Sequence, residues 1–173
     1  MEIGCLKLFW ITPLRVTLVS LTKTQQKNRL IHLWLFINVT DNKAILFTNE
    51  AFYTAFNQQD LLAMRDVWSQ SYEISCLHPG WPKLFGQKEV MESWEKILGS
   101  GKNTEVVCKL PRVKIMGNMG FIICYEVIRD DYLIATNIFL RENKRWSLIH
   151  HQAGLTVALI DPPNKPEPHN TLN

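Results

Sequence analysis

The stretch TEVVCKLPRVKIMGNMGFIICYEVIRDDYLIATNIFLRENKRWSLIHHQAGLTVAL, residues 104–159, decides the fold. Runs rich in Val, Ile, Phe and Tyr are divided by turn-forming residues, which is the pattern of strands. TEVVCKLPRVKIM and GFIICYEVI flank a turn at Gly117-Asn118-Met119-Gly120. YLIATNIFL and RWSLIHHQAGLTVAL flank another around Asn143-Lys144, and Asp130-Asp131 joins the two hairpins. Four long strands therefore form a meander.

Upstream the period changes. From about Asn42, in KAILFTNEAFYTAFNQQD, Ile45, Asn49, Phe52 and Phe56 recur at spacings of four and three, with Ala55 thickening the stripe. That is one face of an amphipathic helix. Asp60 stands where an N-cap belongs, and Leu61, Met64, Val67 and Trp68 carry a second, shorter helix. YEISCLH alternates, with Tyr72, Ile74, Cys76 and His78 on one side of a half-buried strand. PGWPKLFG breaks that strand. QKEVMESWEKIL then puts Val90, Met91, Trp94, Ile97 and Leu98 on one face of a third helix, stopped by Gly99-Ser100-Gly101. Helices followed by a meander predict an α+β fold, with the helices on one face of a curved antiparallel sheet.

At 173 residues, 46% hydrophobic and 20% charged, the chain has the composition of a globular protein and the length to build its own core. That excludes a disordered or fibrous class. Cys5, Cys76, Cys108 and Cys124 show no CxxC spacing, so they read as scattered free thiols rather than a disulfide framework or a zinc site. This suits a reducing, cytoplasmic setting. The net charge of +3 is unevenly placed: residues 1–43 hold six basic and two acidic groups, the remainder 13 and 14. The near-neutral body offers no basic stripe for nucleic acid. Residues 1–43 read as an extension, either a targeting segment or poorly ordered. The domain then occupies 44–158 and a proline-rich tail 159–173. The apolar run 1–21 is interrupted by Lys7, Pro13 and Arg15, and the run 30–39 is short, so no stable membrane insertion is expected. P-loop, GxGxxG, GxSxG and HExxH patterns are missing from the sequence, which calls for neither a cofactor nor a metal.

The motifs resemble one superfamily. NEAFYTAFNQQDLLAMRDVW, CLHPGWPKLFGQKEVMESWEKIL and RWSLIHHQAG are similar to the opening helix pair, the HPGW segment and the last strand of a branch of the SnoaL-like, or ketosteroid-isomerase-like, proteins of the nuclear-transport-factor-2-like superfamily. The resemblance implies a cone, a bent sheet wrapped round three helices with a pocket at its open end. It also implies a homodimer formed through the outer sheet face. Known members include isomerases, cyclases, dehydratases and association domains, so fold alone does not assign function.

His78 is the first candidate for chemistry. By alternation it shares a face with Ile74 and Cys76, and its segment is similar to the one carrying the catalytic aspartate of ketosteroid isomerases. An imidazole there can act as general base or instead fix the loop that follows. Where those isomerases carry an oxyanion-hole tyrosine, this chain has Phe52, with Tyr53 one residue off register. Thr136 and Asn137 stand near the position of their acidic donor, so a pair of buried donors is not expected. His150 and His151 are adjacent on a strand and point to opposite faces, leaving open which one enters the pocket. Trp68, Trp81 and Trp94 are candidate pocket walls, and Tyr125 and Asn137 are polar groups on apolar strand faces. The first functional reading is a module that binds an apolar small molecule. The alternatives are a cofactor-free isomerase, cyclase or dehydratase using His78 as general base, and a protein-association domain acting through the outer sheet face.

Overall fold

The computed structural model describes residues 23–102 and 104–156. The readings made for residues 1–22 and for the tail 159–173 lie outside the described residues. Three helices, α1 (Lys23–Asn57), α2 (Leu61–Val67) and α3 (Gly86–Leu98), accompany six strands. These are β1 (Ser75–Leu77), β2 (Leu84–Phe85), β3 (Val107–Met116), β4 (Met119–Ile128), β5 (Asp131–Glu142) and β6 (Arg145–Leu155).

α1 begins well before Asn42. Residues 23–57 contain neither proline nor glycine, so no backbone signal ends the helix on its way upstream. Part of the segment read as an extension is thus helical. The chain divides into two compact units, residues 1–36 and 37–173. The described part of the first is the opening of α1, and the second holds the rest of the architecture.

The second unit is an α+β layer structure. Its curved, unclosed sheet has the order β2-β1-β6-β5-β4-β3. Neighbours are antiparallel except β1 and β6, which run parallel, so the sheet is mixed rather than wholly antiparallel. β2 forms inside the segment read as a loop, where Leu84 pairs with Cys76 and Phe85 with Ser75. Tyr72 does not join the buried face of β1 and is 54% exposed. Ser69 fastens the chain to β6 through Leu148, and residues 70–72 bend before the strand starts.

Local chemistry places the elements. Asp60 caps α2 by accepting from Ala63 N at 2.9 Å. The β5–β6 turn uses Asn143 and Lys144, both at positive φ, as a two-residue hairpin turn requires. α1 crosses β4 at Gly120, where an added Cβ would sit 2.6 Å from Ile45 Cδ1. Asn57 fixes the end of α1 to the start of β3, donating to Val106 O at 3.0 Å and accepting from Val106 N at 2.8 Å. Between helices and sheet, Phe52 meets Tyr53, Trp68 and Trp94 edge-on at centroid distances of 5.0, 6.5 and 5.4 Å.

One irregularity decides which side chains reach the interior. In the β5–β6 ladder Phe139 pairs with Leu148 and Ile138 with His150, leaving Ile149 as a bulge. Before the bulge Trp146 and Leu148 face inward; after it His151 and Ala153 do. The switch explains why both faces of this strand read as apolar.

Candidate functional site

The inward face of β4 is Gly120, Ile122, Cys124 and Glu126, all buried. A carboxyl therefore stands in a row of small and apolar side chains, facing the helices. Glu126 is 5% exposed and lines a cavity of about 190 Å³. The walls come from α1 (Phe52, Tyr53, Phe56), the loop after β1 (His78, Trp81), α3 (Trp94) and β6 (His151). An engineered cavity of about 150 Å³ admits benzene. This one has room for a one- or two-ring molecule.

The polar groups of the cavity form a directed chain. Tyr53 OH donates to Glu126 Oε1 at 2.8 Å. Asn137 Nδ2 donates to Tyr53 OH at 3.2 Å and to Asn49 Oδ1 at 2.8 Å. Its oxygen, an acceptor only, meets His151 Nδ1 at 2.6 Å, so that nitrogen carries the proton. His151 Nε2 is then an unprotonated acceptor, 3.9 Å from Glu126 Oε1. His78 is fixed in the other tautomer. Ser93 uses its hydroxyl hydrogen on Val90 O at 2.7 Å, so at 2.9 Å His78 Nε2 must donate to Ser93 Oγ.

Burial sets the charges. It pushes the Glu126 carboxyl up from 4.5 to about 7, against the Tyr53 hydrogen bond, which pulls it down. Burial also lowers His78 from 6.5 to about 4. His151, 4% exposed, falls to about 3 through burial and the repulsion of His78 and His150. The contact between His151 and Glu126 is therefore one of a neutral imidazole with a carboxyl, not an ion pair. Both histidines are uncharged throughout the range in which Glu126 gains and loses its proton.

The structure brings together Tyr53, His78, Trp81, Trp94 and His151 around the cavity, with Asn137 directly behind. Trp81 is 42% exposed and stacks edge-on to His78 at 5.2 Å, at the rim. Trp68 is buried core beside Phe52 and does not line the cavity. His150 lies on the other side of its strand and bonds Ser75 Oγ at 2.7 Å. Tyr125 also points away, with Phe121 and Ile123 on the outer face of β4. Tyr53 and Asn137 are buried donors, but their hydrogens are spent on other side chains, Glu126 for the first and Tyr53 and Asn49 for the second. Tyr53 reaches the interior beside Phe52 because the buried face of α1 is broad enough for adjacent residues. Glu126 was not singled out from sequence; the available signal was an acid two and four residues after Cys124 and Ile122. Among the described residues no three His, Cys, Asp or Glu side chains are grouped to hold a metal, and no helix is long and apolar enough to cross a membrane.

Comparisons with known proteins agree with the fold. The SnoaL-like domain family matches residues 45–158. A candidate dehydratase of the NTF2-like family from Streptomyces avermitilis has a TM-score of 0.65 and 26% identity, over 70% of this chain and 99% of that one. A candidate ketosteroid isomerase from Shewanella frigidimarina shares the fold, with a TM-score of 0.54 at 12% identity over 61% of this chain and 90% of its own. The F-box protein SKIP8 of Arabidopsis thaliana is 29% identical over 122 residues, 69% of this chain and 52% of that protein. The chain thus spans about half the length of this curated relative.

Proposed function

This chain belongs to the SnoaL-like domain family, and on that premise we propose that its cavity binds a small, mainly apolar carbonyl compound and moves a proton on it, with Glu126 as the proton carrier. The observation that carries this reading is a buried carboxyl on the wall of an aromatic cavity, held, among the described residues, by a single hydroxyl and facing no cation. A carboxyl titrating near 7 is matched to general acid–base work at neutral pH. It accepts a proton from carbon when ionised and returns it when protonated, so a shift of a proton along the substrate needs no cofactor. His78 serves better as a wall than as the base: Ser93 Oγ accepts a hydrogen bond from its Nε2–H and burial weakens its basicity. The similarity to a candidate dehydratase and a candidate isomerase fits a proton-transfer site of this kind.

Solvent exchange tests it without knowledge of the natural substrate. In deuterium oxide, small cyclic ketones should exchange their α-protons faster with the protein than with buffer. The rate should rise with pH through about 7 and vanish in Glu126→Gln. Exchange unchanged in that variant, or none in the wild type, refutes catalysis and leaves a binding module.

The outer sheet face favours a second, compatible reading. Met119 and Ile123, each 41% exposed, lie beside Phe121 and Tyr125, and the facing strand adds Ile134 and Ile138. We infer that this face pairs two copies of the chain, since so continuous an apolar surface is uncommon on a monomer. Sedimentation should give a dimer, and Ile123→Lys a monomer with the same circular dichroism. A monomeric wild type refutes the pairing.

A further inference from the structure

We propose that Cys108 is a peroxide-oxidised site with Cys124 as its resolving thiol, the two closing a disulfide beside the cavity. The inference is independent of the acid–base reading. In the β3–β4 ladder Cys108 faces Glu126, which places Cys124 two residues along on the same face of the neighbouring strand. The side chains of Cys124 and Asn49 lower the Cys108 thiol from its ordinary value, Asn49 through a hydrogen bond from its Nδ2 to the Cys108 sulfur at 3.5 Å. Both neighbours favour the thiolate, the form that reacts, against burial and the nearby Glu126 charge, which oppose it. Cys108 is half-buried and lines a surface groove of about 390 Å³ with Asn49, Asn57 and Glu105, so a small oxidant reaches it. Cys76 supplies the contrast: it is fully buried, and burial pushes its thiol up. β3 is an edge strand with a register shift between Lys109 and Arg112 and a positive φ at Leu110. Its backbone is paired on one side only, so the shift that brings this diagonal pair to the shorter Cα separation of a disulfide breaks into one ladder rather than two.

The chemistry balances with hydrogen peroxide as oxidant. The Cys108 thiolate attacks one peroxide oxygen, the O–O bond breaks, and the departing hydroxide takes a proton to become water. Cys124 then attacks the sulfenic sulfur, the S–O bond breaks, and the leaving hydroxide takes the Cys124 proton as a second water. Two electrons pass from the thiols to peroxide. Oxidation removes the hydrogen of Cys124, whose sulfur lies 3.2 Å from the Tyr53 oxygen, the same hydroxyl that bonds Glu126.

The full chain, treated with hydrogen peroxide and then alkylated, should yield one cross-linked peptide pair joining Cys108 and Cys124, two hydrogens lighter and released by dithiothreitol. Cys124→Ser should leave a Cys108 sulfenic acid that dimedone traps. Should that variant fail to fold, the wild type decides through alkylation rates, with iodoacetamide labelling Cys108 about tenfold or more faster than Cys76. Equal labelling, or an oxidised Cys108 with Cys124 still free to alkylate, overturns the proposal.

Discussion

Replacing Glu126 by Gln should make the protein more stable than the wild type, by an amount that grows with pH. The amide keeps an oxygen for the Tyr53 hydroxyl, so the hydrogen bond survives while the ionisable proton goes. The folded state holds the Glu126 proton more tightly than the unfolded chain does, at about 7 against 4.5. Below 4.5 both states are protonated and the wild type carries no penalty. As pH rises through this window the unfolded chain ionises first and stability is lost, with the loss complete above 7. At 1.36 kcal/mol per pH unit the total is about 3 kcal/mol, roughly 2.5 of it between pH 5 and pH 8. Urea unfolding of both proteins at these two pH values isolates the effect, because every other titrating group cancels in the difference. With an ordinary urea dependence, the gap between the two midpoints should widen by about 1–2 M from pH 5 to pH 8. A gap that stays constant would refute the argument, since it would mean that Glu126 has the same proton affinity folded and unfolded.

Further outcomes follow from neighbouring groups. Tyr53→Phe removes the one hydrogen bond that favours the ionised carboxyl, so the Glu126 midpoint should move above 7, as read by carboxyl NMR; an unmoved midpoint would show that burial alone sets it. His78 and His151, lowered to about 4 and about 3, stay neutral in the fold while the unfolded chain protonates them below 6.5. Stability in the Glu126→Gln background should therefore fall from pH 6.5 to 4.5, and a flat profile contradicts the assignment. Gly120→Ala should cost about 1–3 kcal/mol by forcing Ile45 away. Adding Ile45→Val should recover part of that loss, whereas strict additivity would deny the contact.

The shorter helices were legible because each stripe was unambiguous: Met64 and Val67 on α2, with Trp68 just after it, and Val90, Met91 and Trp94 on α3 are buried as their spacing demands. The hairpin turns were legible for the same local reason. Facing was harder. On β4 both parities are apolar, Phe121, Ile123 and Tyr125 against Ile122, Cys124 and Glu126, and only the first set drew attention. A sheet with apolar residues on both sides does not announce which side is the interior, so the one buried acid escaped notice. His150 and His151 were undecidable for a different reason: the inward parity of β6 changes at Ile149, and a bulge leaves no mark in a two-residue period. Tyr53 looked displaced because the comparison was made position by position, while α1 buries Phe52 and Tyr53 side by side.

The account rests on Glu126 being a carboxyl that exchanges its proton near neutrality inside a ligand cavity. Carbon-13 NMR of protein labelled at the glutamate carboxyls, with Glu126→Gln to assign the resonance, measures this directly. One carboxyl should titrate with a midpoint of about 7 and shift when a small cyclic ketone is added. A Glu126 resonance titrating in the ordinary range near 4.5, indifferent to the ketone, would contradict it.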